Sequence, residues 1–178
     1  GVEQALEFCP VYVHALEVAE VVKQSGVAAD KLTAVEDGHE VAVGRYHLEL
    51  LHTPGYSPGS QCALLTGRGR AQRALFAGDT VVPGSFGRID TPQGSAEQMY
   101  RSLRRLGDLE PSVVIYPGHE YGEGKDRSTV KEERKNGYLA KTRDEWELAV
   151  VYRGLTGTGH NWAFEVLPPK PDKKKETD

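Results

Sequence analysis

Short apolar, β-branched runs bounded by Gly, Pro and Asp dominate this chain, and a helical spacing of apolar positions replaces them in a few places. Pro10 to His14 reads as a short buried strand, and Ala15 to Gln24 as a helix stopped by Gly26. Leu32 to Leu51 has β character broken at Glu36-Asp37-Gly38, and an Asp-Gly pair between β-rich runs predicts a hairpin. Thr53 to Gly59 is a Pro/Gly loop. Gln61 to Leu65 and Ala74 to Gly78 are two further strands, separated by an exposed turn from Thr66 to Arg73. Ser95 to Leu106 is an amphipathic helix: Ser95 and Gln98 make a capping-box pattern, and Met99, Leu103 and Leu106 share one face. Ser112 to Tyr116 is an apolar strand, and Thr129 with Glu132 and Thr142 with Glu145 cap two later helices. Strand, loop and helix alternate, so the class is α/β in the broad sense, mixed α+β, without internal repeats and without a linker before Pro168.

Composition narrows the picture. The 178 residues suit one domain or most of one, and 38% hydrophobic residues suffice for a core. A formal net charge of −4 gives no general attraction to nucleic acid or anionic membranes. The basic cluster Lys170 to Lys175 lies in a Pro/Lys/Asp/Glu-rich end; it reads as a solvated disordered tail over 168–178, with a docking peptide as the other reading. Cys9 and Cys62 match no metal spacing and read as buried free thiols rather than a disulfide, which fits a reducing, intracellular compartment, cytoplasmic or mitochondrial. No apolar run approaches the roughly 20 residues that span a bilayer. No basic-then-apolar leader opens the chain, and with glycine first a processed or incomplete N-terminus stays open.

Two short segments carry strong metal-binding side chains directly after buried strands: Leu75-Phe-Ala-Gly-Asp79-Thr80 and Tyr116-Pro-Gly-His119-Glu-Tyr121. A carboxylate leaving the sheet edge at Asp79 can bridge two cations held roughly 3.5–4 Å apart. His119 follows a Pro-Gly turn that would present its imidazole at a strand end. Taken alone, an Asp after a strand is a helix or turn cap, and a single loop His is no ligand. The upstream loop His52-Thr-Pro-Gly-Tyr56-Ser-Pro-Gly59 changes that. In this order, Thr53-Pro-Gly-Tyr56, Gly78-Asp79-Thr80 and Pro117-Gly-His119 resemble the later ligand motifs of the metallo-β-lactamase superfamily, in particular its glyoxalase II-like (hydroxyacylglutathione hydrolase-like) members. Gly84-Ser-Phe-Gly-Arg88-Ile-Asp90 is similar to the segment after the bridging Asp, and Ser128 to Glu133 with Asn136 to the helix after the last His. The resemblance runs from about Pro10 to about Asn136.

What the resemblance implies is an αββα sandwich, mainly its C-terminal half, over residues 1–167, with the N-terminal segment missing. It implies a binuclear zinc or iron centre whose bridging hydroxide attacks an ester, thioester or lactam carbonyl. Asp79 and His119 are the implied metal ligands. Arg88 and Tyr121 match positions that contact a glutathione moiety, implying an anionic small-molecule thioester; the plain reading is that Arg88 pairs with Asp90 and Tyr121 packs on its loop. Two departures oppose activity. No His-x-His-x-Asp-His occurs, and Tyr56 stands where the family has a His ligand. A phenol with a pKa of about 10 binds zinc poorly beside neutral imidazole. His52 and His47 have opposite parity on one strand, and His14, His39 and His160 have no ligand-like sequence neighbours, so none is expected to replace the missing ligands. On the chain as written the site reads as degraded, with no residue assigned as catalytic and metal occupancy open down to none.

Weaker signals remain. Gly67-Arg-Gly-Arg70 reads as a hairpin turn rather than a phosphate or RNA contact, and Gly154 to Gly159 as a flexible connection. Trp162, Phe164, Val166 and Leu167 read as an added strand or a docking element. Three functions stay open: a hydrolase completed by residues outside this sequence, a catalytically inactive pseudoenzyme serving as scaffold or subunit with a protein partner, and a small-molecule binding module built on Arg88 and Tyr121.

Overall fold

The computed structural model describes residues 1–155 except 68, 70 and 120–125, with 151–155 as backbone alone. The expectations for Tyr121, for His160, for 156–159, for Trp162 to Leu167 and for the tail 168–178 lie outside the described residues. The chain opens with α1 (Val2–Leu6), β1 (Tyr12–His14), a 3₁₀ turn at Ala15–Glu17, α2 (Val18–Ser25) and β2 (Thr33–Val35). Gly26, at φ 73°, stops α2 as expected, its N–H closing back on the Val22 carbonyl. There follow β3 (His39–Val43), β4 (Tyr46–His52), β5 (Gln61–Thr66), β6 (Gln72–Gly78) and the small hairpin β7 (Val81–Val82) with β8 (Ser85–Phe86). The remainder is α3 (Ala96–Gly107), β9 (Val114–Pro117), β10 (Ser128–Thr129), α4 (Val130–Asn136) and α5 (Arg143–Leu155).

Strands β3, β4, β5 and β6 form an antiparallel meander. The chain then crosses through β7–β8 and α3 to place β9 parallel to β6, giving the mixed six-stranded order β10-β9-β6-β5-β4-β3. Alternation along the strands sends Leu51, Cys62, Leu64, Leu75, Ala77 and Ile115 to one face. On that face they pack against Met99, Leu103 and Leu106 of α3, the three residues whose spacing predicted the helix, with Val130, Leu139 and Trp146 completing the core. The other face carries cross-strand rows Leu48, Leu65, Ala74, Val114 and Leu50, Ala63, Phe76, Tyr116. It is partly open: Phe76 and Tyr116 stack at 5.8 Å while remaining 47% and 36% exposed.

Both capping boxes after residue 128 form as expected. Thr129 Oγ accepts from the Glu132 N–H while the Glu132 carboxylate accepts from the Thr129 N–H. Thr142 and Glu145 do the same. The box at Ser95 forms by half, since its hydroxyl accepts from the Gln98 N–H while the Ser95 N–H goes to the Gly55 carbonyl. Four expectations are corrected. Asp37-Gly38 makes no hairpin: β2 leaves to pair in parallel with β1, and the hairpin turn sits at Gly44-Arg45, where Val43 faces Tyr46 and Gly44 takes φ 59°. Cys9 is exposed, because it lies just past the short α1, none of whose residues is buried, whereas Cys62 is buried and free as expected. Thr66 and Gly67 are buried rather than part of an exposed turn, because the β5–β6 ladder continues to Thr66 opposite Gln72. Gly154 and Leu155, read as part of a connection, belong to α5.

Candidate metal centre

The parallel pairing of β6 and β9 sets the site. Gly78 lies opposite Pro117, and the Gly118 N–H donates to the Gly78 carbonyl at 2.7 Å, so the two strand ends deliver Asp79 and His119 to one edge. Gly78, at φ 50°, turns the chain there. His119 Nδ1 donates to Asp79 Oδ1 at 2.8 Å. Asp79 is largely buried and His119 largely exposed, so the pair stands at a rim.

The third motif arrives from the loop after β4. Its base is fixed by the Thr53 N–H on the Ser60 carbonyl and by Ser102 Oγ of α3, which donates to the Pro54 carbonyl at 2.7 Å. Tyr56 reaches Asp79. Burial pushes the Tyr56 phenol above its ordinary range, the Asp79 charge and its acceptance of the phenol hydrogen bond push it further, and Arg88 acts in the opposite sense. Gly87 permits this approach: a Cβ there would stand 2.0 Å from the Asp79 carbonyl and 3.0 Å from Tyr56 Cδ2. Beneath the site Thr53 Oγ contacts Thr80 Oγ at 3.4 Å and donates to Cys62 Sγ at 3.2 Å. Burial pushes the Cys62 thiol up, which keeps it protonated.

Arg88 lies close to this cluster, and its guanidinium holds Asp90 through Nε and Nη2 at 2.9 and 3.1 Å. The structure thus brings together Tyr56, Asp79, His119 and Arg88. Glu133, which sequence reasoning passed over, anchors the connection between them. It is buried, and its carboxylate accepts from the Gly84 N–H at the turn of β7–β8, which links Asp79 to Arg88.

The structure gives His14 a histidine neighbour in space: it stacks on His52 with ring centroids 4.0 Å apart, and its Nε2 is 3.8 Å from Glu36. That contact is closed by the parallel β1–β2 pair folding back toward β4, and nothing in local sequence announces it.

The zinc or iron centre that the resemblance implies can be tested on the donor set. Among the described residues no group of three or more His, Cys, Asp or Glu side chains converges to hold a metal ion. Asp79 and His119 are engaged with each other, and Tyr56 keeps its proton. Structural zinc takes four protein ligands and catalytic zinc three. These residues by themselves do not make such a centre.

Among known proteins the chain is similar to the probable polyketide biosynthesis zinc-dependent hydrolase BaeB of Bacillus velezensis, 38% identical over 93 residues, covering 52% of this chain and 39% of that protein. It is likewise similar to the mitochondrial persulfide dioxygenase ETHE1 of Homo sapiens, 37% identical over 111 residues, covering 62% of this chain and 41% of that protein. The crystal structure of a metallo-beta-lactamase from Staphylococcus aureus superposes with a TM-score of 0.61 at 30% identity over 74% of this chain and 41% of that one. The chain thus spans about two fifths of the length of each of these proteins. The mixed helix and sheet architecture is that of the metallo-β-lactamase fold, as expected. No described helix is long and apolar enough to cross a membrane. The profile of the metallo-beta-lactamase superfamily matches residues 9–119, more than half of the chain, and the chain belongs to that superfamily.

Proposed function

We propose that this chain is a hydrolase-type member of the superfamily, of glyoxalase II-like ancestry, whose metal centre is weakened at Tyr56 so that thioester or ester hydrolysis is feeble or lost. One observation carries the reading. The Asp79 carboxylate, which would bridge the metals, is instead engaged by His119 Nδ1 at 2.8 Å, with the Tyr56 phenol beside it. A carboxylate that accepts from a protein donor gives up a lone pair that a cation needs. Arg88 and Tyr121 are the proposed contacts to an anionic thioester; Arg88 would have to leave Asp90 to make one.

The test is metal content and metal-dependent stability. Protein purified from its native source is analysed for zinc and iron, and thermal midpoints are compared in zinc and in chelator for wild type, Tyr56→His, Asp79→Asn and His119→Ala. Little bound metal, wild-type, Asp79→Asn and His119→Ala midpoints that zinc does not raise, and a zinc-dependent rise in Tyr56→His alone would agree with the proposal. A binuclear complement of about two ions per chain, with stability that collapses in chelator, would overturn it and make an active metallohydrolase the working reading.

A second reading, a scaffold or subunit without turnover, draws on the open sheet face around Phe76 and Tyr116. Contiguous exposed apolar surface marks interaction sites. Elution from native extract at well above the size of one chain would support it, and elution as a free single chain would remove it.

A further inference from the structure

The loop that carries Tyr56 is gripped at two points by the segment running from β1 into the 3₁₀ turn. The first is the imidazole stack: His14, at the end of β1, lies on His52, at the end of β4, with ring centroids 4.0 Å apart and planes 20° apart. His52 Nε2 donates to the Pro58 carbonyl at 2.8 Å, closing the base of the loop. The second is Glu17, whose Oε1 accepts from the Gly59 N–H at 2.7 Å. A Cβ on Gly59 would meet Glu17 Cγ at 2.5 Å, so the two segments are in close contact there.

The protonation state of the stack is set by its partners. His14 Nδ1 accepts from the Leu16 N–H at 3.3 Å, so this nitrogen carries no proton and the ring proton sits on Nε2, 3.8 Å from the Glu36 carboxylate. His52 carries its proton on Nε2, facing Pro58. His14 is therefore neutral in the geometry described. His14 is 3% exposed. The charged and titratable groups around it are His52 from β4, Glu17 from the 3₁₀ turn, and Glu36 and Asp37 from the β2–β3 connection. Asp37 is itself engaged by Arg105 of α3 at 2.8 Å and by the His52 N–H at 2.7 Å. The acids favour an imidazolium at His14, while burial and the second ring oppose it; burial and His52 win, holding His14 below the ordinary histidine value.

We propose that the His14–His52 stack is a proton-operated latch on the Tyr56 loop, closed while both rings are neutral and opened when His14 Nδ1 takes a proton from solvent. That proton removes the acceptor of the Leu16 N–H and puts a cation against a second imidazole, so the stack parts. With the stack parted, the 3₁₀ turn that presents Glu17 loses its anchor, and the Gly59 N–H is released. The loop then carries Tyr56 away from Asp79. The latch rests on the packing of β1 against the loop and does not depend on whether the site holds metal.

Amide exchange and imidazole resonances of the intact protein test it between about pH 8 and about pH 5, the range in which histidine titrates. In the wild type, the protection of the Gly59 and Leu16 amides should fall roughly tenfold or more in the same step in which the His14 ring titrates, while Leu103 in the core of α3 stays protected. In His14→Asn combined with His52→Phe, the Asn oxygen keeps an acceptor for Leu16 and the Phe ring keeps a stacking surface, and neither titrates; Gly59 protection should then be flat. Gly59 protection that stays flat in the wild type while His14 titrates would overturn the latch. So would a loss shared equally by Leu103, which is global unfolding, or a step that survives in the double variant. Should that variant fail to fold, the wild-type correlation of Gly59, Leu16 and Leu103 with the His14 titration decides alone.

Discussion

Replacing Gly55 with Ala tests how the Tyr56 loop is seated on the core. Gly55 has φ 139°, a region that side chains with a Cβ rarely adopt, and a Cβ there would lie 2.5 Å from both the backbone N and the Cα of Met99. The obstacle is helix backbone, so no rotamer change relieves it. A backbone held in such a region costs about 1–3 kcal/mol, and forcing atoms into a packed interior costs about 1–3 kcal/mol more. The sum, about 2–6 kcal/mol, is a large part of the roughly 5–15 kcal/mol by which domains are stable. Separating loop from helix would also break the Ser95 N–H bond to the Gly55 carbonyl and the Ser102 bond to the Pro54 carbonyl. The control is Gly26→Ala, where φ is 73° and nothing lies within 4 Å of the new Cβ. It should cost only the left-handed backbone penalty, about 1–2 kcal/mol. Urea unfolding of the two variants gives the difference directly. A Gly55→Ala protein within about 1 kcal/mol of Gly26→Ala would refute the seating of this loop on α3.

Trp146 is buried and touches Phe86, Tyr100 and Tyr138 with ring centroids 4.5, 5.9 and 6.2 Å away, so Trp146→Ala should cost about 3–5 kcal/mol in denaturant unfolding. Thr129→Ala removes one arm of the α4 capping box and should cost about 1 kcal/mol by thermal midpoint, with Thr129→Ser restoring most of it. Stability against pH follows from the sign of the shifts. Burial, and next His52, lower the His14 pKa, so the unfolded chain binds its proton first; the contribution is complete above the ordinary 6.5 and is lost as pH falls from there toward the folded value. Burial alone would raise the Asp37 carboxyl, but Arg105 and the His52 N–H hold it below its ordinary value, so its contribution is lost further down, as pH falls through the folded pKa. Unfolding free energies that rise on acidification below 6.5 would contradict the His14 assignment.

Features encoded by neighbouring residues are legible in the sequence. The spacing of Met99, Leu103 and Leu106 committed one face of α3 to the core, and the Thr129/Glu132 and Thr142/Glu145 pairs marked two helix starts, because capping and amphipathicity act within a turn or two of helix. Three motifs resembling one family also singled out Tyr56, Asp79 and His119, and Asp79 and His119 follow the ends of the paired strands β6 and β9. Pairing between distant segments was not legible. Asp37-Gly38 had the composition of a hairpin, yet the parallel bond of β2 to β1 directed the chain elsewhere, because which strand lies alongside is a matter of packing and not of turn residues. Cys9 read as buried from its apolar neighbours and is exposed, because burial depends on what folds over a residue. Arg88 read plainly as a partner of Asp90 and, by resemblance, as a substrate contact, and the side-chain geometry places the guanidinium on the carboxylate. The His14–His52 stack was invisible for the same reason: alternation states which face a residue takes, and the chain's return over long range states what it meets there.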